Sequence, residues 1–155
     1  MINSIFINNM NPMKNLSNII GTLFEDKIHH NLCMIPNTIK IYREKDLTRM
    51  YGWDASSIDF IVEFKENIIF IQTKWRKSRR RESHGVIHFM NSIKHIQNTE
   101  PKNNKKYSGL WISRRKPFDD NIRLMKDSGI ETLYCFESME GLVEKATKYI
   151  SKENN

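Results

Sequence analysis

Cysteine is nearly missing from this 155-residue chain, which carries only Cys33 and Cys135. The two lie far apart, with neither a CxxC pair nor the Cys/His spacing of a zinc site. Reduced core thiols in an intracellular protein are the expectation, in cytoplasm or nucleus, rather than a secreted disulfide framework. Long apolar runs are missing too. The longest, around IIFI at 68–71, falls far short of the ~20 residues a membrane helix needs. The first residues show no charged start followed by an apolar block, so no secretory signal is expected. No internal repeat is visible.

What is present suits one globular domain with a real core: 39% hydrophobic residues, 28% charged, and a formal net charge of +7. The positive excess points to an anionic partner, with nucleic acid first among candidates. It is concentrated in two runs, WRKSRRR at 75–81 and SRRK at 113–116.

The elements follow from periodicity. Residues 1–16, rich in Asn and Met, read as a poorly ordered leader, with Met10 or Met13 as alternative starts. Ser17 is a good N-cap for a helix to Leu32, striped by Ile20, Leu23, Phe24, Ile28 and Leu32. TIKIYRE, 38–44, alternates like a strand. Two strands follow, 58–64 and 68–74, joined by a polar turn at 65–67. Ser83 caps a helix whose apolar face is read as Ile87, Met90, Ile93, Lys94 and Ile96. A strand at 107–113 precedes a helix opened by Pro117 and stopped at Gly129. A strand at 131–136 and a helix at 138–150 complete the domain, 17–150, with a short tail at 151–155. The order α-β-β-β-α-β-α-β-α predicts an α/β fold, a mixed sheet with helices on both faces.

The hairpin raises the functional question. Its strands are apolar, yet they carry Asp59, Gln72 and Lys74 at one end. Alternation puts Gln72 and Lys74 on one face with Ile68 and Phe70, and Thr73 and Trp75 on the other. A turn at 65–67 sets Asp59 opposite a position near Thr73. Such polar strand ends often simply meet solvent, and an exposed Asp–Lys pair is worth little. Three features favour a site. Glu25 sits on the shoulder of the first helical stripe, the basic run starts directly after Lys74, and Asp54 and Asp59 bracket a Gly- and Ser-containing turn. The chemistry these groups suit is phosphodiester hydrolysis. Carboxylate and carbonyl-type oxygens hold Mg²⁺, with Mn²⁺ as a substitute, and Lys74 is a fixed cation for the transition state.

In this arrangement the sequence resembles the PD-(D/E)xK nuclease superfamily in its Mrr-like restriction endonuclease branch. The match is Asp59 followed by Gln72-Thr73-Lys74, where that branch has Gln in place of the second acid. GTLFEDKI, with Glu25, is similar to the branch's N-terminal helix, and the stretch from Ser108 to Cys135 to its later strand-helix-strand. The resemblance implies a restriction-endonuclease-like αβββαβ core, metal-dependent DNA cleavage and a possible homodimer. It implies that Asp59 is the main metal ligand, helped by Gln72 and the Thr73 carbonyl, with Lys74 as catalytic lysine and Glu25 assisting. The residue before the acid is Ile58, where the superfamily motif has Pro. No separate DNA-reading domain is seen.

Around this centre, Arg76, Lys77, Arg79, Arg80 and Arg81 are candidate phosphate contacts, which would make binding steeply salt-dependent. Arg114, Arg115 and Lys116 stand before a helix N-terminus, a place suited to anions. Trp75 is the better candidate for base stacking, Trp111 reads as core, and Trp53 is a third aromatic. His29, His30, His84 and His88 lack a third ligand and read as surface or structural. The expected activity is Mg²⁺-dependent endonucleolytic cleavage of DNA. The alternatives are a structure-selective Holliday junction resolvase-type nuclease and a non-catalytic nucleic-acid-binding module on the same fold.

Overall fold

The computed structural model describes residues 12–101 and 104–154. The elements run α1 (Pro12–Leu32), β1 (Lys40–Arg43), α2 (Glu44–Tyr51), a 3-10 turn (Gly52–Ala55), β2 (Phe60–Glu63), β3 (Asn67–Lys74), α3 (Ser83–Thr99), β4 (Lys106–Ser113), α4 (Asp119–Asp127), β5 (Ile130–Tyr134) and α5 (Met139–Glu153). The five strands form one sheet in the order β1-β2-β3-β4-β5. β1 to β3 pair antiparallel, and β3 to β5 pair parallel. The α3 and α4 crossovers make those parallel pairs possible, because parallel neighbours cannot be joined by a tight turn. Gly129, at φ +76°, stops the helix before β5 as expected.

Strand alternation divides the core. Phe60, Val62, Ile69, Ile71, Leu110 and Ile112 face α1 and α5. Ile61, Ile68, Phe70 and Trp111 face α3, with Leu47 of α2 and Met125 of α4 at that layer's edges. Each fully buried Leu, Ile or Phe contributes about 1.5–3 kcal/mol, so both layers are needed for stability. Gly109 is where β4 meets α3 and β5 most closely: a Cβ there would lie 2.6 Å from Ile130 Cγ1.

Several sequence expectations need correction. α1 begins at Pro12, five residues before Ser17, because Pro is well suited to a first helical turn. Of the expected leader, residues 1–11 lie outside the described residues. α5 continues to Glu153, through most of the expected tail. α4 begins at Asp119, two residues after Pro117. Glu44 opens a helix and does not end a strand, since Asp46 caps the Arg43 main-chain N–H at 3.1 Å. In α3 the buried stripe is Val86, Phe89, Ser92 and Ile96, while Ile87 is 48% exposed. In α1, Leu23 likewise faces outward.

Candidate active site

Sheet topology collects the polar residues at one end. Asp59 precedes β2 and Lys74 ends β3, and because those strands are antiparallel the two residues share an edge. Ser113 ends β4, which runs parallel to β3, so the SRRK run starts at the same edge. β1 arrives there with Arg43 opposite Phe60, which places Glu44 nearby.

The register pairs Phe60 with Ile71, and the Asp59 main-chain N–H donates to the Ile71 carbonyl at 2.9 Å. Asp59 therefore stands level with Gln72, within one residue of the expected position. Its carboxylate turns along the strand end, where Oδ2 accepts from the Thr73 main-chain N–H and hydroxyl, both at 2.7 Å. Oδ1 accepts no hydrogen bond among the described residues. The Thr73 carbonyl points the same way as that of Ile71, toward β2, since carbonyl directions repeat every second residue. By that parity it lies on the same side of β3 as the Thr73 N–H that binds Asp59.

Gln72 is buried on the α3 face, as its parity requires. With its amide oriented to satisfy both ends, the nitrogen donates to the Ser57 carbonyl and the oxygen faces Lys74 Nζ at 3.2 Å. Ser57 is itself held by Ser92 of α3, with hydroxyl oxygens 2.9 Å apart. This explains a fully buried serine in an otherwise apolar stripe.

Two carboxylates here titrate well above their ordinary range. Burial pushes Asp59 up to about 6, although the two Thr73 hydrogen bonds and the Lys74 ammonium pull it back; Glu44 raises it further. Glu25, half-buried on α1, is pushed up to about 7, first by burial and then by the charges of Asp59 and Glu44, with Arg43 opposing. Burial and neighbouring like charge both disfavour the ionised form, and a cation among these groups would relieve that cost. Glu44 was not singled out in the sequence. Its only signal was an acid as the last residue of an expected strand, and its position depends on the unforeseen α2.

The donor set consists of oxygens: two carboxylates, the Thr73 carbonyl and the Gln72 amide, whose oxygen has a second lone pair besides the one facing Lys74. That set suits a hard cation such as Mg²⁺, which keeps several waters. No group of three or more His, Cys, Asp or Glu suited to a metal occurs among the described residues. Any such site therefore depends on carbonyl oxygens and water. His84 and His88 have ring centroids 6.3 Å apart on α3 and no third ligand. Asp54 lies in the 3-10 turn, largely exposed and 4.0 Å from His95.

The basic residues divide into two sets. Arg76 pairs with Glu82, and Arg81 with Asp120 at 2.5 Å. Arg79 donates to the carbonyls of Lys116 and Pro117 at 3.0 and 3.2 Å, and its guanidinium lies 4.0 Å from the Phe118 ring centroid. Arg114 donates to the Phe136 carbonyl at 3.3 Å and covers the Trp75 ring at 4.9 Å. Lys77 and Arg80 are exposed and make no ion pair or hydrogen bond among the described residues. Arg115 touches the Phe136 ring, and Lys116 makes a loose pair with Asp119 at 3.6 Å. Trp75 is half-buried against Phe24, Trp111 is core as expected, and Trp53 is 80% exposed.

No protein-family model matches the sequence, and no curated protein matches it. Among solved structures, the fold is similar to the small subunit of the heterodimeric restriction endonuclease R.BspD6I. The match covers 93% of this chain and 88% of that one, with 14% identity and a TM-score of 0.51. At such identity the likeness is one of fold. The chain has a restriction-endonuclease-like architecture, with a mixed five-stranded sheet flanked by helices. No helix among the described residues is long and apolar enough to cross a membrane.

Proposed function

We propose that this protein is a Mg²⁺-dependent DNA endonuclease of the PD-(D/E)xK type, in its Mrr-like branch. The observation that carries the reading is the meeting of Asp59, the Thr73 carbonyl, Gln72 and Lys74 at one sheet edge, with Glu25 close enough to feel the Asp59 charge. Similarity of fold to a restriction endonuclease subunit supports it.

In this reading Asp59, Gln72 and the Thr73 carbonyl would hold the metal, and Glu25 would complete the set. The metal, when bound, supplies neutralisation of phosphate charge and activation of water. Thr73 holds Asp59 by Oδ2 and so fixes the orientation in which its carboxylate would meet a metal. Gln72 aims the Lys74 ammonium by its amide oxygen. Lys74 then stabilises the charge that develops on the attacked phosphate, as a preorganised cation that need not reorient. Glu25 and Asp59 must both be ionised to serve as ligands, which favours activity at pH above 7. The exposed cations Lys77, Arg80 and Arg115 contact phosphates, while Arg76, Arg79, Arg81 and Arg114 shape the surface that carries them. A homodimer would supply one such centre per strand of a duplex.

A second reading rests on Gln72, the neutral residue at the acid position, together with the absence among the described residues of a group of three or more His, Cys, Asp or Glu suited to a metal. It is a nucleic-acid-binding module on the same fold. Metal dependence separates the two on plasmid, junction and flap DNA. The endonuclease binds DNA in EDTA and cuts only after Mg²⁺ or Mn²⁺ is added, whereas a module binds all three substrates and cuts none. Preference for the junction would favour a resolvase.

A further inference from the structure

Beside Lys74 lies a cleft whose construction differs from that of an open groove. Two chain segments bound it, 74–82 and 111–117. They leave adjacent strand ends tied by a hydrogen bond, Arg114 N–H to the Lys74 carbonyl at 2.9 Å. They then diverge and are tied again where Arg79 donates to the Lys116 and Pro117 carbonyls. Each tie bounds one end of the space between them, which stays open to solvent along its length. Buried Trp111, Ser113 and Pro117 line its floor, and Ser78, Arg80, Arg115 and Lys116 stand around it.

Six cationic side chains line this cleft against one carboxylate, Glu82, which Arg76 already neutralises. Arg79 is committed to its carbonyls and to Phe118, so the groups left to meet a ligand are Lys74, Arg80, Arg115 and Lys116. The fork of Arg80 and of Arg115 matches phosphate oxygens bidentately. A short cleft bounded in this way suits a compact anion. The backbone of an uninterrupted duplex would need to leave on the far side, where the Arg79 tie stands.

We propose that this cleft is a pocket for a terminal phosphate, the phosphomonoester at the end of a nucleic-acid strand, set next to the Lys74 centre. The inference rests on the nuclease reading for its biological meaning, since the pocket would hold a strand end such as cleavage at the Lys74 centre itself creates. Its binding chemistry is independent of cutting.

The test uses the full chain as Asp59→Asn in EDTA, so that no cleavage intervenes. Labelled 12-nucleotide strands ending in 5′-phosphate, 3′-phosphate or hydroxyl are compared by fluorescence anisotropy. One phosphorylated end binds roughly tenfold tighter than the hydroxyl end, as expected for charge-assisted hydrogen bonds. Arg80→Ala and Arg115→Ala, both at exposed positions that leave folding intact, abolish that preference. Which terminus wins identifies the polarity of the strand in the pocket. Equal affinity for all three ends would overturn the proposal, and so would a preference that survives both substitutions. Absence of cleavage by the wild-type protein, with the preference intact, would sink the nuclease reading and leave the pocket standing.

Discussion

Thr73 holds one oxygen of Asp59 with two hydrogen bonds, from its main-chain N–H and from its hydroxyl, each at 2.7 Å. Strand parity alone would turn Asp59 and Thr73 to opposite faces. The pairing arises because Asp59 lies just before β2, where its carboxylate takes the place of a ladder acceptor for the Thr73 N–H.

Thr73→Val keeps the shape and the main-chain bond but removes the hydroxyl donor to a buried carboxylate. At pH 8, where Asp59 is ionised, the substitution costs about 1.5–3 kcal/mol, the range for a hydrogen bond to a charged group. At pH 5 the loss shrinks, because the carboxyl is protonated. Urea denaturation at the two pH values reads the difference, and an equal loss at both would assign it to packing.

Glu25 and Asp59 give the metal-free protein an unusual pH dependence. Their folded-state values, about 7 and about 6, lie above the ordinary ones near 4, so the folded state binds protons more tightly than the unfolded chain. The contribution of these two groups is therefore most favourable in acid and is lost as pH rises through 6 to 7. In EDTA, Glu25→Gln raises the melting temperature at pH 8 and flattens the fall between pH 5 and 8. Lowering of the melting temperature at pH 8 by this substitution would contradict the account.

Gln72→Glu tests why an amide stands where the superfamily motif has an acid. The nitrogen now donates to the Ser57 carbonyl, and a carboxylate cannot. Two acceptors would then face each other in a buried place, at a cost of about 1–3 kcal/mol in EDTA. Saturating Mg²⁺ restores that stability if the metal sits as proposed. An unchanged urea midpoint in EDTA would mean that the Ser57 contact is not made.

Gly109→Ala probes the packing of the parallel half. The new methyl would meet Ile130 at 2.6 Å, with Ile93 Cδ1 at 3.3 Å on its other side. Overpacking of that kind costs about 1–3 kcal/mol. A neutral result in a melting experiment would show that α3 or β5 has room to shift.

Much of this architecture is readable from local pattern, and the failures have a common cause. The hairpin alternates over Ile58–Lys74 with a polar turn, so its register was recoverable to one residue. α2 was not, because it is eight residues long and buries only Leu47. α3 carries two adjacent apolar stripes, Val86-Phe89-Ile96 and Ile87-Met90-Ile93, and only the sheet beneath it decides that the first is fully buried while Met90 and Ile93 pack at its margin and Ile87 faces out. For the candidate site, Asp59, Gln72, Thr73 and Lys74 are close in sequence and could be grouped by parity. Glu44, the Ser57–Ser92 bond and the partners of Arg79 and Arg81 depend on contacts 35 to 39 residues away or on an unforeseen helix. Composition shows a basic run, but not which of its members are already occupied.

Cleavage of supercoiled plasmid in Mg²⁺ or Mn²⁺ tests the central claim most directly, with wild type, Lys74→Ala and Asp59→Ala compared and DNA binding measured alongside. Nicking or linearisation by the wild type alone, with all three proteins still binding DNA, is the expected result. Equal cutting by the three proteins, or binding without cutting by the wild type, would contradict a catalytic centre at this sheet edge.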